Sequence, residues 1–317
     1  MAASVLSAPH FQDETAAFAY VEAHLWPNGP ACPFCGETKR IGELKGKTTR
    51  AGLRKCYACR KPFTVRIGTI FEDSHLPLRY WLQTIHLMCA SKKGVSTRQI
   101  QRMLQCSMKT AWHLTHRIRH AMDPGPDAEP MGGPGKIVEA DEAFLTNSFK
   151  TRKRPGYQHK VAVLAVAERG GPIRSTVLGG PPSGAEIART LYRHVRRETI
   201  LHTDGAQYYK SALGYRRETV DHSKGIYARP GHNGPIHVNT LEGFFSVFKR
   251  GMIGIYQHVE NQHLHRYMAE FDFRQNTRER LGVDDVQRTA IALQGFRGKR
   301  LTYRTTSGSE QEESRPL

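Results

Sequence analysis

The chain has 317 residues, of which 38% are hydrophobic, and 47 Lys and Arg against 29 Asp and Glu give a net charge of +18. This length suffices for two or three domains with sizeable cores, and the charge favours nucleic acid as a partner over a basic surface without a specific one. No apolar run approaches the roughly 18 residues of a membrane-spanning helix, and the N-terminus lacks the pattern of a secretory signal. We therefore expect a cytoplasmic, nucleoid-associated protein with no membrane partner and with reduced thiols.

The first 68 residues contain a short helix and a cysteine motif. Residues 1–25 are predicted as an N-terminal helical segment, with a helix from Glu14 to Leu25. Residues 26–68 carry two Cys-x2-Cys pairs with 20 residues between them: Cys32, Cys35, Cys56 and Cys59. In a reducing compartment this spacing predicts a zinc ribbon, in which four thiolates hold one structural Zn²⁺. Two disulfides or a chance pattern are the alternatives.

Residues 69–122 predict a helix-turn-helix-like DNA-binding region. Apolar residues recur there at helical spacing, and Ser96 or Thr97 can cap the helix that follows a turn. The next helix carries basic side chains, of which Lys109 and Arg117 are predicted DNA contacts. The alternative is an ordinary three-helix packing unit without DNA contact.

The rest of the chain predicts a linker, an α/β domain and a tail. Residues 123–135 contain four Pro and four Gly, which exclude a helix or a central strand and predict a linker. Residues 136–302 predict strands alternating with helices, in an order compatible with a ribonuclease H-like architecture. The strands are expected at Ile137–Leu145, Lys160–Ala167, Pro172–Leu178, Thr199–Thr203 and Arg217–His222, and the helices at Ala185–Val195 and Tyr208–Leu213. The polar tail, 303–317, is predicted to be disordered.

Three acidic residues stand where this domain could bring them together. Asp141 and Asp204 each close an apolar run typical of a buried strand, and Glu142 follows Asp141 on what strand alternation makes the opposite face. Glu242 lies in a predicted helix. Carboxylates are the ligands that hard cations prefer, and two Mg²⁺ about 3.5–4 Å apart can drive phosphodiester chemistry. A plain turn at Asp204 and a helix N-terminal acid at Glu242 are the structural alternatives.

Basic and amide side chains accompany these acids. Asn239 and Lys249 lie on the same helical face as Glu242. Five cations are the predicted phosphate contacts of the domain, with a solvated basic face as the alternative. They are Arg152, Arg154, Lys160, Lys249 and Arg250.

The order of motifs resembles the bacterial insertion-sequence transposases with an N-terminal zinc ribbon, the ISXO-like group. The motifs are Cys-Pro-x-Cys-Gly, Cys-x2-Cys, Val-Glu-x-Asp-Glu, Asp-Gly and His-x-Asn-Thr-x-Glu-Gly-Phe from His237 to Phe244. The stretch from His263 to Asn276 is also similar. The resemblance spans roughly residues 15–300 and implies a DDE-type transposase with a ribonuclease H-like catalytic domain. Such an enzyme uses Mg²⁺ (or Mn²⁺) to hydrolyse a transposon end and to join its 3′-hydroxyl to target DNA by transesterification.

The resemblance also implies roles and partners. Asp141 and Asp204 would be metal ligands and Glu242 the third ligand or general base, with Asn239 and Lys249 assisting. Asn239 competes with Glu242 because members of the group can carry Asn in the third position, but the Glu-x6-Lys spacing ranks Glu242 first. The partners would be double-stranded DNA, as transposon ends and target, and further copies of the chain. A non-catalytic DNA-binding regulator and a nuclease that cuts without joining are the alternative functions.

Overall fold

Residues 4–146, 160–221 and 224–301 are described by the computed structural model of the chain. The α-helices are α1 Pro9–Gln12, α2 Glu14–Leu25, α3 Leu78–Ala90, α4 Thr97–Leu104, α5 Met108–Met122, α6 Gly184–His194, α7 Asn239–Gly251, α8 Leu264–Asn276 and α9 Asp285–Gln294. The strands are β1 Ile41–Glu43, β2 Arg54–Cys56, β3 Pro62–Phe63, β4 Ile137–Thr146, β5 Lys160–Glu168, β6 Ile173–Val177, β7 Ile200–Thr203 and β8 Arg216–Thr219. Within these ranges, no helix is both long and apolar enough to cross a bilayer.

The N-terminal part joins helix α2 to a small antiparallel sheet of order β1-β2-β3. Helix α2 has the predicted bounds because Asp13 caps it, accepting a hydrogen bond from the Ala16 N–H at 2.7 Å. The sheet is attached to the helix by Arg54, whose guanidinium donates to the carboxylate of Glu22 at 2.6 Å. The ribbon therefore packs against the helical region through a half-buried ion pair as well as through apolar contacts.

The helical region has a core that includes the C-terminal helix. Helices α1 to α5 bury Trp81, Ile85 and Ile118, and α9 and the residues after it add Leu293 and Phe296 to the same cluster. Helix α4 begins after Ser96, whose hydroxyl accepts from the Gln99 N–H at 3.2 Å. The two ends of the described chain thus share one core, although α9 lies within the range predicted for the catalytic domain.

The larger sheet has the strand order β6-β5-β4-β7-β8. The pairs β6–β5 and β5–β4 are antiparallel, whereas β4–β7 and β7–β8 are parallel. Helix α6 packs on one face and helices α7 and α8 pack on the other. Both faces of β5 are buried, which explains its nearly continuous apolar sequence. This mixed sheet between helices confirms the ribonuclease H-like α/β class.

Helix α8 covers the edge of this sheet at β6. The carboxylate of Asp272 accepts from the N–H and the hydroxyl of Ser175, both at 2.7 Å. The amide of Asn276 pairs with both backbone groups of Ile173, at 2.7 and 2.9 Å. These bonds satisfy backbone groups that an edge strand would otherwise leave open to pairing with another chain.

A buried charge cluster links the helical region to the sheet domain. Glu270 on α8 is fully buried and accepts from Arg119 on α5 at 2.7 Å. It also accepts from Arg274, on its own helix, and from the hydroxyl of Tyr256 at 2.6 Å. Because α5 contributes Arg119, whereas Arg274 lies on α8 and Tyr256 in the turn after α7, the cluster holds the two regions in one relative position.

The segment predicted as a linker is attached to the sheet domain. Residues 123–135, all described, contain no helix or ladder strand, as their Pro and Gly content predicts. Met131 is nevertheless buried and forms a bridge with Val195, and the Gly132 N–H donates to the carboxylate of Glu168 at 2.9 Å. Gly132 has φ +85, and a Cβ there would lie 2.2 Å from the hydroxyl oxygen of Thr199. The segment is thus a fitted connection rather than a free tether.

Candidate active site and metal centre

Three carboxylates meet where strand β7 ends beside the middle of strand β4. Asp141 and Glu142 lie on β4, and Asp204 directly follows β7. Oxygen atoms of the three side chains lie within 4.8 Å of one another. The parallel register pairs Glu139 with His202, so that two residues further on Asp141 stands opposite Asp204. The convergence predicted for Asp141 and Asp204 is therefore present in the fold.

Glu142 was missed as a member of this group. Alternation does place it on the opposite face of β4 from Asp141, beside Tyr209, whose hydroxyl donates to Glu142 at 2.8 Å. Strand β7 ends at Thr203, however, so on that side of β4 no strand continues past Glu139, although β5 pairs along the other side. Side chains from both faces of β4 therefore reach the same space around Asp204. The available signal was the Asp-Glu pair that directly follows the apolar run of the predicted strand.

Burial and mutual repulsion shift the protonation of the cluster. Burial, followed by the charge of Asp204, raises the pKa of Asp141 to about 7 and that of Glu142 to about 8. The metal-free site therefore keeps protons at neutral pH. A divalent cation would replace them, because it stabilises the charged form of every carboxylate that it touches. Three converging carboxylates suit a hard cation such as Mg²⁺.

Helix α7 brings two further predicted residues to this site. Glu242 is half-buried and its charge raises the pKa of Asp141, while the charge of Lys249 lowers it. Asn239 is exposed at the first position of the helix and lines, with Gly243, a cleft that α7 shares with α8. Glu242 thus lies near enough for its charge to act on Asp141, but outside the group of three carboxylates within 4.8 Å. The preference for Glu242 over Asn239 stays a prediction.

The predicted DNA contacts differ in their accessibility. Lys109, on the first turn of α5, and Lys249 and Arg250, on the last turn of α7, are exposed. Lys160 is half-buried at the start of β5. Arg152 and Arg154 lie outside the described residues, as does the tail predicted to be disordered.

Arg117 requires a correction. Its side chain is buried, and its guanidinium donates to the carbonyl oxygens of Glu72 at 2.6 Å and Leu301 at 3.0 Å. It also lies over the ring of Trp81. The guanidinium therefore holds the helical region together, and the prediction that it contacts DNA is wrong because it faces the core of the region.

The four predicted zinc ligands converge in the ribbon. The Sγ atoms of Cys32 and Cys59 are 3.6 Å apart, and those of Cys35 and Cys56 are 3.7 Å apart. A tetrahedral ion with bonds of about 2.3 Å places its sulfur ligands about 3.8 Å apart. Backbone N–H groups, first that of Cys59, lower the pKa of Cys56 to about 7, which favours the thiolate that zinc needs. All four are free thiols, which excludes the two-disulfide alternative and supports a structural Zn²⁺.

Comparisons with known proteins find matches for two regions of the chain. Residues 132–276 match the family described as the ISXO2-like transposase domain, and residues 12–62 match a transposase zinc-ribbon domain. A relative in Halobacterium salinarum, described as an uncharacterized protein in transposable element ISH50, is 27% identical over 278 residues, which cover 83% of this chain and 90% of the relative.

Two solved structures have a distant likeness to the chain. One is a simian T-cell lymphotropic virus intasome in complex with PP2A regulatory subunit B56 gamma, with a TM-score of 0.25 and 10% identity over 55% of this chain and 67% of that chain. The other is a pre-cleavage Mos1 transpososome, with a TM-score of 0.24 and 12% identity over 70% of this chain and 80% of that chain. Scores this low support no conclusion about function.

Proposed function

We propose, from the matches to the ISXO2-like transposase domain and to a transposase zinc ribbon, that the chain is the DNA transposase of an insertion sequence. It binds the terminal inverted repeats, cleaves DNA at them with Mg²⁺ or Mn²⁺, and transfers the cut strand to target DNA. The observation that carries the proposal is the convergence of the Asp141, Glu142 and Asp204 carboxylates where β7 ends beside the middle of β4. A site of this kind is suited to metal-dependent phosphodiester chemistry.

Each residue of the site has a proposed role. Asp141 and Asp204 are metal ligands, and Glu142 is added to them because its carboxylate shares their space. Glu242 is the third family position, as a ligand or a general base, and Lys249 contacts a DNA phosphate. When bound, the cation supplies Lewis-acid activation of the attacking oxygen and stabilises the leaving oxygen.

The remaining regions would deliver DNA to this site. We assign terminal-repeat recognition to the zinc ribbon, residues 26–68, and to the helix-turn-helix-like region, residues 69–122, with Lys109 as an exposed contact. Residues 136–302 form the catalytic domain in this proposal. Arg250, Lys160, Arg152 and Arg154 are the proposed phosphate contacts of the domain. Pairing of two transposon ends requires an oligomer, and the protein would act in the cytoplasm on nucleoid DNA.

The test is a strand-transfer assay with a terminal-repeat duplex, Mg²⁺ and a target plasmid. The wild-type protein should yield joined products, and Asp204→Ala should yield none. Undiminished strand transfer by Asp204→Ala would contradict the proposed site.

Two other product patterns would replace the proposal. Nicked ends without joined molecules would indicate a nuclease that only cuts. DNA affinity without any Mg²⁺-dependent cleavage would indicate a DNA-binding regulator.

A further inference from the structure

We propose that Glu139 is a positioning residue that holds the start of helix α7 against strand β4, and so sets the place of Glu242 and Lys249 relative to Asp141. The inference rests on the proposed function, because it concerns the geometry of the same site. Glu139 is fully buried and is not itself one of the converging carboxylates.

The carboxylate of Glu139 receives donors from the helix that faces it. Its Oε2 accepts from the Thr240 N–H at 2.9 Å, and its Oε1 accepts from the Thr240 hydroxyl at 2.9 Å. The Nε of Arg169 donates to Oε1 at 3.1 Å. His237 Nδ1 lies 3.3 Å from the same oxygen. Both carboxylate oxygens are therefore used, and residue 240 occupies both of them.

These bonds replace a helix cap. The first N–H groups of a helix have no partner within the helix, and a side-chain oxygen at the N-cap usually accepts from one of them. Val238 stands at the N-cap of α7 and has no side-chain oxygen. Glu139 supplies the acceptor from a strand about one hundred residues earlier, and its negative charge suits the positive end of the helix dipole. The cap therefore ties α7 to β4 rather than to its own loop.

Arg169 extends the contact to the segment that leads into α7. Its guanidinium donates to the carbonyl oxygens of Pro235 at 2.6 Å and His237 at 3.2 Å. It also lies 3.2 Å from Nδ1 of His202 on β7. One arginine thus connects the entry of α7 with Glu139 on β4 and with the strand that precedes Asp204.

The spacing along both elements carries this restraint to the metal site. Glu139 and Asp141 are two residues apart on one face of β4, and Thr240 and Glu242 are two residues apart in the first turn of α7. Thr240 donates to Glu139, and the charge of Glu242, two residues later, acts on Asp141. A displacement of Thr240 therefore moves Glu242, and misplacements of about 1 Å can lower a rate about 100-fold.

Three variants separate this contact from general stability. Glu139→Gln keeps the shape but offers one acceptor oxygen where two are used. Thr240→Val removes the hydroxyl and keeps the shape, whereas Thr240→Ser keeps the hydroxyl and is the matched control. We expect Glu139→Gln to lower the single-turnover cleavage rate at saturating DNA at least about tenfold, and Thr240→Val at least about threefold, with DNA affinity unchanged. Thr240→Ser should restore the wild-type rate.

Mn²⁺ affinity, measured by electron paramagnetic resonance without DNA, supplies a readout that is independent of activity. If Glu139 acts through Glu242, Glu139→Gln weakens Mn²⁺ binding several-fold in the wild-type background and has no further effect in Glu242→Ala. Additive losses, or wild-type Mn²⁺ affinity in both Glu139→Gln and Thr240→Val, would overturn the inference. Should Glu139→Gln fail to fold, the cleavage rates and Mn²⁺ affinities of Thr240→Val and Thr240→Ser decide whether the contact between residues 139 and 240 positions the site. If the wild-type protein binds Mn²⁺ but never cleaves DNA, the proposed function is refuted but the inference about Glu139 is not. The Mn²⁺ affinities of the variants then still test the role of Glu139.

Discussion

Replacing Asp204 by Asn is expected to stabilise the metal-free protein at alkaline pH while abolishing its metal-dependent activity. The carboxylate oxygens of Asp141, Glu142 and Asp204 lie within 4.8 Å of one another. At that separation each pair of like charges costs about 3 kcal/mol at an effective dielectric constant of about 20. The Asn side chain keeps an Oδ1 that can accept the bond donated by the Ala206 N–H at 3.0 Å. The substitution therefore removes charge with little loss of packing.

The pH dependence follows from the two raised pKa values. The pKa of Asp141 rises from 3.8 to about 7 and that of Glu142 from 4.5 to about 8. Between about pH 4 and about pH 8 the folded metal-free state holds protons that the unfolded chain has released, so its stability falls as the pH rises. At about pH 5.5 both carboxyl groups are protonated and the change at Asp204 matters little. At about pH 8.5 both are mostly charged and the repulsion by Asp204 is largest.

Urea unfolding in Mg²⁺-free buffer measures the change in the free energy of unfolding. No chelator is added, because a chelator would remove the zinc. Asp204 takes part in two of the three pairs, and solvent at these half-buried side chains screens their sum of about 6 kcal/mol to about a third. We therefore expect Asp204→Asn to raise the free energy of unfolding by about 2 kcal/mol at about pH 8.5 and by less than about 0.5 kcal/mol at about pH 5.5. Asp127→Asn, at an exposed acid, is the matched control and should change neither value by more than about 0.5 kcal/mol. An equal loss of stability at both pH values would refute the reasoning, because the carboxylates would then not repel one another in the folded protein.

Three further predictions concern the parts that surround the site. Cys56→Ser should lower the zinc content, measured by elemental analysis, from one ion per chain towards zero, because the tetrahedral site loses a thiolate. An unchanged zinc content would show that the four cysteines of the ribbon do not hold the ion. Glu270→Gln leaves two buried arginines without their anion and should lower the free energy of unfolding by about 3–5 kcal/mol, whereas the exposed control Glu198→Gln should change it by less than about 0.5 kcal/mol. Asn276→Ala removes both bonds to Ile173, should cost about 2 kcal/mol, and should speed hydrogen exchange in β6; unaltered exchange there would contradict the role of α8 in covering the edge.

Local patterns predicted the elements of the fold closely. The helix expected at Glu14–Leu25 has these bounds, and the strand expected at Lys160–Ala167 extends by one residue. The cap expected at Ser96 or Thr97 is Ser96. These features depend on residues that are neighbours in sequence, such as an apolar run and the side chain that precedes it, so the chain read alone contains the necessary information.

Local sequence patterns could not predict the contacts between distant segments. The burial of Arg117 and the packing of α9 into the N-terminal core join residues more than 150 positions apart. An arginine on a helix can face DNA, or it can face the core and donate hydrogen bonds to buried backbone carbonyl oxygens. The helical spacing of the residue is the same in both cases. Only the position of the neighbouring elements distinguishes the two.

By itself, the sequence determined the four cysteines of the ribbon, the order of the strands and helices, and the acids Asp141 and Asp204, each of which closes an apolar run. The tertiary structure decided that Glu142 joins them and that Glu139 turns to the start of α7. The physical reason is that the two-residue period of a strand assigns a side chain to a face, whereas its contacts depend on where the adjacent strand ends and which helix covers that face. Those are properties of packing between segments about 60 to 100 residues apart.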